Sequence, residues 1–192
     1  LALTVACGKL LSPDLADADD MAALQRRRLT QLHTLAWRLV RHDLSEDLVL
    51  RPAFEQYLGA AGKAMSNHDR ADHERARVEL LRLCGENEYA ARLEVLRQRY
   101  AVLMAGLAEH MRSESGEDIP RLEAAMGPAQ SVELGRRYLE TMVVQPELQI
   151  AGARVWPDVG AYLTAGLQGL RSVWTQVLLD RERRGEKPGG KL

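Results

Sequence analysis

The sequence predicts an all-α fold in which helices pack as a bundle, with additional helices at the C-terminal end. Aromatic residues make up only 5% of the 192 residues, and the helix-favouring residues Ala, Leu, Arg and Glu are abundant. Apolar residues recur at alternating spacings of three and four, which is the period of an amphipathic helix. Because helices joined by short loops pack in opposite directions, we expect an up-down arrangement.

The bundle is expected to lie in a first domain at residues 1–126. Turn and cap residues divide this domain into helices with the predicted ranges 1–11, about 20–51, about 66–85 and 87–115. Gly59 and Gly62 are expected to form a loop between the second and third of these helices. Ser66 or Asn67 is expected to cap the third.

Residues 127–192 are predicted to form a C-terminal helical extension with a disordered basic tail. Pro157 is expected to open a long helix whose apolar stripe extends from Val159 to Val177. Glycines at 160, 166 and 169 within this helix indicate close approach of another helix. That neighbour is either the flank of the bundle or a second copy of the chain in a homodimer.

Charge and composition exclude several classes of function. The formal net charge is −1, and the absence of a basic face argues against nucleic acid as a partner. No apolar run reaches the ~20 residues that a membrane span requires. Only two cysteines are present, Cys7 and Cys84, which favours free thiols in a reducing, cytoplasmic setting.

Two segments place a His and a Glu four residues apart within an apolar helical stripe. His42 and Glu46 lie in the second predicted helix, and His110 and Glu114 end the stripe of the fourth. His73 occupies an inward position of the third helix. In the up-down arrangement these three segments meet at one end of the bundle, so the five side chains are expected to converge.

This set of side chains predicts a metal site. An imidazole and a carboxylate at i and i+4 point the same way and can bind one cation, and a carboxylate can bridge two. A mixed nitrogen and oxygen shell suits iron, manganese or zinc. With Glu46 and Glu114 as bridges and the three His as terminal ligands, we expect a dinuclear iron site. A buried His–Glu network without metal is the alternative, and it would bury carboxylates at high cost.

The motifs resemble a known family. HDLSEDLVLRPAF (42–54) and HMRSESGEDIPRL (110–122) are similar to the paired His-x-x-x-Glu and Pro segments of the hemerythrin-like, or HHE cation-binding, domain. DHERARVELLRL (72–83) resembles its third-helix segment, and the resemblance covers about residues 1–126. It implies an up-down four-helix bundle and a non-haem di-iron centre, with manganese or mixed metal as alternatives. By this resemblance the metal ligands are His42, Glu46, His73, His110 and Glu114.

The sequence departs from the family pattern in its first helix. The family places a further His there, whereas this chain has Cys7. Either the ligand lies upstream, or Cys7 or solvent replaces it, or the centre is incomplete and holds one metal ion or none. Ser115 stands where relatives often have a second Glu, which alters only the surroundings of the ligands. His33 is expected at the surface. His68, just before the third helix, is expected to be exposed or to cap that helix, and the alternative is that it reaches the site from the loop.

Three functions are compatible with these motifs. The first is a carrier or sensor that binds dioxygen, peroxide or nitric oxide without turnover. The second is an enzyme that decomposes peroxide or oxidises a substrate at the same di-iron centre. The third is a helical interaction module with a degenerate or empty metal site, whose C-terminal helix mediates assembly.

Overall fold

The computed structural model describes residues 18–85 and 93–186. The predicted helix over residues 1–11, with Cys7, and residues 187–192 of the tail lie outside this part of the chain. Within it the predicted all-α class is confirmed, and only one short hairpin, Gln149–Ile150 with Ala153–Arg154, is present. The helices are α1 (Ala18–Ser45), α2 (Arg51–Gly85), α3 (Leu93–Ser113), α4 (Ile119–Ala125), α5 (Pro128–Thr141), α6 (Val159–Thr164) and α7 (Gly166–Arg183).

Both His-x-x-x-Glu motifs end in a π-helical segment. These segments span Glu46–Leu50 and Glu114–Asp118. In each, the residue five positions after the Glu donates its backbone N–H to the Glu carbonyl, and a proline follows at once. Proline cannot donate the next helical hydrogen bond, and π turns often occur at functional sites. Helical structure continues past Pro52 and Pro120, although the sequence predicted that a helix ends at or before each proline.

The break between the second and third predicted helices is shorter than predicted. Gly59 has φ 57° and ψ −128°, a conformation that favours glycine, and helix resumes directly after it. A Cβ at Gly62 would overlap the carbonyl oxygen of Phe54, so this glycine permits close approach rather than a loop. The expectation of a loop over 59–62 with a cap at Ser66 or Asn67 was therefore wrong, because one residue makes the turn.

The C-terminal extension shares its hydrophobic core with α1, α2 and α3. Tyr162 and Leu170 are fully buried in this core, and the Tyr162 hydroxyl donates to the Val144 carbonyl at 3.2 Å. The core residues from α1, α2 and α3 are Ala36, Leu39, Val40, Leu44, Ala76, Leu80, Leu83, Leu96, Leu103 and Leu107. Those from the extension are Val144, Leu148, Trp156, Tyr162, Leu163, Leu170, Trp174 and Val177. Much of the predicted apolar stripe thus packs within the chain.

The predicted long helix after Pro157 is two helices, α6 and α7. Gly166, with φ 63°, lies where they meet, and nothing lies within 4 Å of the space where its Cβ would be. This glycine is used for its backbone conformation and not for approach to another helix, which corrects the sequence-based interpretation. In the described part of the chain, no helix has the length and apolar character needed to cross a membrane.

Candidate metal centre

Four of the five predicted ligands come together in the structure. His42 lies in the last turn of α1, Glu46 begins the first π-helical segment, His73 lies in α2 and His110 in α3. One potential ligand atom from each lies within 4.8 Å of the others. We refer to these four side chains as the cage. The spacing of the motifs therefore predicted the meeting of these four side chains.

Two of the three imidazoles, those of His42 and His110, are oriented in the same way. Their Nδ1 atoms face outer oxygens, at 2.7 Å from Tyr138 Oη and 3.4 Å from Asp72 Oδ2, and their Nε2 atoms face Glu46 Oε1 at 2.8 Å and His73 Nε2 at 2.9 Å. His73 differs, because its Nδ1 lies 3.2 Å from both Asp43 Oδ1 and Glu46 Oε2. An outer oxygen that accepts the Nδ1 proton leaves the Nε2 lone pair free for a cation, which is the usual arrangement around metal-bound His.

The polar atoms at the centre of the cage are not fully satisfied by hydrogen bonds. Glu46 is 1% exposed, and neither of its oxygens has a partner with hydrogen-bond geometry. Its Oε1 lies 2.8 Å from His42 Nε2, and His73 Nε2 lies 2.9 Å from His110 Nε2. Two imidazole nitrogens at this distance share at most one proton. A buried carboxylate that faces ring nitrogens in this way fits a bound metal cation.

The pKa shifts differ among the imidazoles of the cage. Burial lowers the pKa of His42 and of His110, so both rings are in the metal-binding form at neutral pH. Burial raises the pKa of Glu46 well above its ordinary value, and the nearby carboxylates of Asp69 and Glu114 raise it further. For His73 burial acts downward, but Asp43 and Glu46 raise the pKa overall.

Glu114 does not join the four clustered side chains. It begins the second π-helical segment and is half-buried. Its charge nevertheless reaches the cage, because it raises the pKa of His42 and of Glu46. Among the other candidates, His33 is half-buried outside the cluster, and His68 is exposed on α2, 3.6 Å from Asp72.

Three carboxylates that were not predicted surround the cage. Asp43 and Asp72 are the outer partners of His73 and His110, and Asp69 Oδ1 lies 3.4 Å from His110 Nε2. Asp69 precedes His73 by four residues, so the same i, i+4 rule that identified the Glu residues indicates its position. Asp43 and Asp72 are each adjacent in sequence to a predicted His, and the i, i+4 spacing of Asp72 is to the exposed His68.

A buried arginine lies among these carboxylates. Arg51, 1% exposed, is the first residue of α2. Its Nη2 lies 2.6 Å from Asp43 and 3.7 Å from Glu46, and its Nε lies 2.5 Å from Asp69. Its Nη1 lies 3.4 Å from Asp47, which also contacts Arg171 at 2.8 Å. A buried guanidinium persists only with such partners.

The cage borders a groove between α2 and α3. Its volume is about 930 Å³, and its lining includes Asp69, His73 and His110 together with the apolar side chains of Val102 and Leu103. The imidazoles of His73 and His110 thus lie at the wall of this groove, although both side chains are largely buried.

Tyr138 links the extension to the cage. It lies on α5, 96 residues from His42 in sequence, and burial raises the pKa of its hydroxyl, which stays neutral. Thr141 on the same helix lies 2.5 Å from the Ser45 hydroxyl at the end of α1. These contacts hold α5 against the segment that carries His42 and Glu46.

Replacing Tyr138 with Phe is expected to weaken metal affinity about 10-fold to 100-fold, because the ring of His42 loses the oxygen that fixes its orientation. Competition with a chelator measures this. Tyr57→Phe is the matched control, since Tyr57 packs in the smaller core cluster around Phe54 and is expected to leave the affinity unchanged. Equal affinities in both variants would contradict a role for Tyr138.

Fold and site together define a helical protein with a His and carboxylate cage suited to a metal ion. No family model matches the chain, and no solved structure matches it. The chain is similar to an uncharacterised hemerythrin-like protein of Schizosaccharomyces pombe, with 29% identity over 114 residues. The match covers 57% of this chain and 53% of that protein, so the chain spans about half the length of the curated relative. The similarity to hemerythrin-like proteins, first indicated by the motifs, is thereby confirmed.

Proposed function

We propose that this chain is a non-haem iron protein of the hemerythrin-like type, built on an up-down four-helix bundle, that binds dioxygen, peroxide or nitric oxide. The observation that carries this proposal is the convergence of three imidazoles and the buried Glu46 carboxylate, with one potential ligand atom from each within 4.8 Å of the others. A redox-active ion with an open coordination position would supply binding or activation of the small molecule. Manganese fits the same donor set.

The side chains around the cage set its properties. Tyr138 and Asp72, which face Nδ1 of His42 and of His110, would hold these two imidazoles in the tautomer whose Nε2 binds metal. The apolar core formed by α1, α2 and α3 keeps bulk water from Glu46, which strengthens its attraction for a cation. The groove beside His73 and His110 is the route by which a small ligand would enter.

A second candidate is a helical interaction module whose cage holds no metal. Arg51 favours this alternative, because its guanidinium already contacts Asp43, Glu46 and Asp69. Exposed apolar side chains on α5, Val132 and Leu139, would suit an interface. Metal content separates the two candidates.

Protein produced with iron supplied is expected to retain metal, and His110→Ala is expected to lower its metal content about tenfold or more, because one of three imidazole ligands is lost. His33→Ala is the control, since His33 lies outside the cage. Elemental analysis of both variants and the parent measures the ratio of metal to protein. Parent protein without metal, or equal content in both variants, would contradict the proposal.

Rapid mixing with peroxide separates a carrier or sensor from an enzyme. A carrier or sensor is expected to give one spectral change per loaded chain and no further consumption of peroxide. An enzyme is expected to consume many equivalents. Apoprotein, prepared with a chelator, serves as the blank in both cases.

A further inference from the structure

Arg51 occupies a position that the second motif fills with an apolar residue. It stands five residues after Glu46, and Ile119 stands five residues after Glu114, each directly before a proline. In both repeats the backbone N–H at this position donates to the Glu carbonyl of the π-helical segment. The backbone therefore does not require arginine here. We therefore relate the charge of Arg51 to the carboxylates that its side chain contacts.

Two carboxylates, those of Glu46 and Asp69, each contact both the imidazole cluster and this guanidinium. Glu46 directs Oε1 to His42, at 2.8 Å, while its Oε2 lies 3.2 Å from His73 Nδ1 and 3.7 Å from Arg51 Nη2. Asp69 directs Oδ1 to His110 Nε2, at 3.4 Å, while its Oδ2 lies 2.5 Å from Arg51 Nε. In a dinuclear centre such carboxylates would join two metal ions.

We propose that the centre holds a single metal ion and that the Arg51 guanidinium takes the place of a second one. This inference rests on the proposed metal-binding function. Glu46 and Asp69 then connect one bound ion to one permanent organic cation. The expectation of a di-iron site, made from the motifs, is replaced by a mononuclear site.

Geometry and charge both favour this arrangement. Arg51 is 1% exposed and has Asp43, Glu46, Asp47 and Asp69 within 4 Å, so it fills the space beside the imidazoles on the side of Asp43. An arginine cannot lose its proton in a protein, so its charge cannot be removed to admit a second cation. Repulsion between a guanidinium and a divalent ion a few ångströms away is strong in a buried site. Glu114, the second predicted bridge, also lies outside the clustered ligands.

The ratio of metal to chain tests the proposal. Apoprotein is titrated with Fe(II) without oxygen, or with Mn(II), and the bound metal is measured after removal of excess. About one ion per chain, with the electron paramagnetic resonance spectrum of isolated Mn(II), is the expected result. A ratio near two with an exchange-coupled spectrum would overturn the proposal and leave the proposed function intact. No binding of either metal would overturn both.

Substitution of Arg51 provides the second test. Arg51→Ala is expected to raise the ratio from about one to about two, because Asp43, Asp69 and Glu46 lose their cation and the space becomes free. Arg51→Lys keeps the charge and is expected to stay near one. Arg70→Ala is the matched control, since Arg70 contacts Asp47 at 3.5 Å but is half exposed at the rim. It is also expected to stay near one.

Loss of Arg51 leaves buried carboxylates without their partner, so Arg51→Ala is prepared in excess Mn(II) to support folding. A folded Arg51→Ala protein that still binds one ion would overturn the assignment of the second position to Arg51. If this variant does not fold even with metal, the ratio and spectrum of the parent protein decide between one ion and two.

Discussion

Replacing Glu46 with Gln is expected to have two opposite effects: loss of metal binding and stabilisation of the metal-free protein. The amide has nearly the same shape as the carboxylate but lacks its charge and is a poor metal ligand, so metal affinity is expected to fall about tenfold or more. In the apoprotein the Glu46 carboxylate is buried without a hydrogen-bond partner. Removing its charge removes the cost of burying it.

The sign of this second effect follows from the raised pKa of Glu46. Burial, with Asp69 and Glu114 nearby, raises the folded-state pKa above the unfolded value. The folded apoprotein therefore binds more protons than the unfolded chain, and the associated stability is present below the unfolded pKa and is lost as pH rises through the folded pKa. Glu46→Gln does not titrate, so its advantage over the parent apoprotein is expected to grow as pH rises.

Thermal unfolding with and without metal measures both effects. In a chain of this size a change of about 1 kcal/mol shifts Tm by about 2–4 °C. The parent is expected to gain stability on adding metal, by about 2.7 kcal/mol at a free concentration 100 times Kd, whereas Glu46→Gln gains much less. Glu55→Gln is the control, because Glu55 is exposed on α2. A Glu46→Gln apoprotein less stable than the parent would argue against an unsatisfied buried carboxylate.

The clustering of the four side chains could be predicted because their positions depend largely on helix geometry. A residue and its i+4 neighbour lie on one face of any helix, so His42 with Glu46 required no knowledge of the tertiary structure. The apolar stripe that contains them gave the face that is buried. Convergence with His73 and His110 then required only that short connections join the helices.

The remaining features of the site depend on contacts that have no local pattern. Tyr138 reaches His42 from 96 residues away, through the packing of the extension. From the sequence, Arg51 before a proline was interpreted as the end of a helix. Hydrophobic spacing does not reveal the π-helical segment that precedes Arg51. Glu114 has the same spacing as Glu46 but is half-buried and lies outside the four clustered side chains.

Replacing Leu170 with Ala is expected to destabilise the whole protein by about 2–5 kcal/mol, which lowers Tm by about 4–20 °C. Leu170 belongs to the extension, yet it is fully buried in the core that α1, α2 and α3 also form. The cavity left by alanine would therefore weaken the packing of the bundle helices and not only of α7. Leu179→Ala is the control, since Leu179 lies on the same helix but is half exposed, and is expected to change stability by about 0.5 kcal/mol at most.

A shared core also requires that the bundle and the extension unfold together. Trp37 lies on α1 and Trp174 on α7, so single-tryptophan versions of the chain report the two parts separately. Their transitions are expected to coincide with each other and with the loss of helical circular dichroism. In Leu170→Ala both transitions should move by the same amount. If Trp174 changed first while Trp37 kept the parent midpoint, the extension would be a separate unit. Tyr138 would then lie on a unit that can unfold while the candidate metal centre stays folded. The buried contact between Thr141 and Ser45 argues against such separate unfolding.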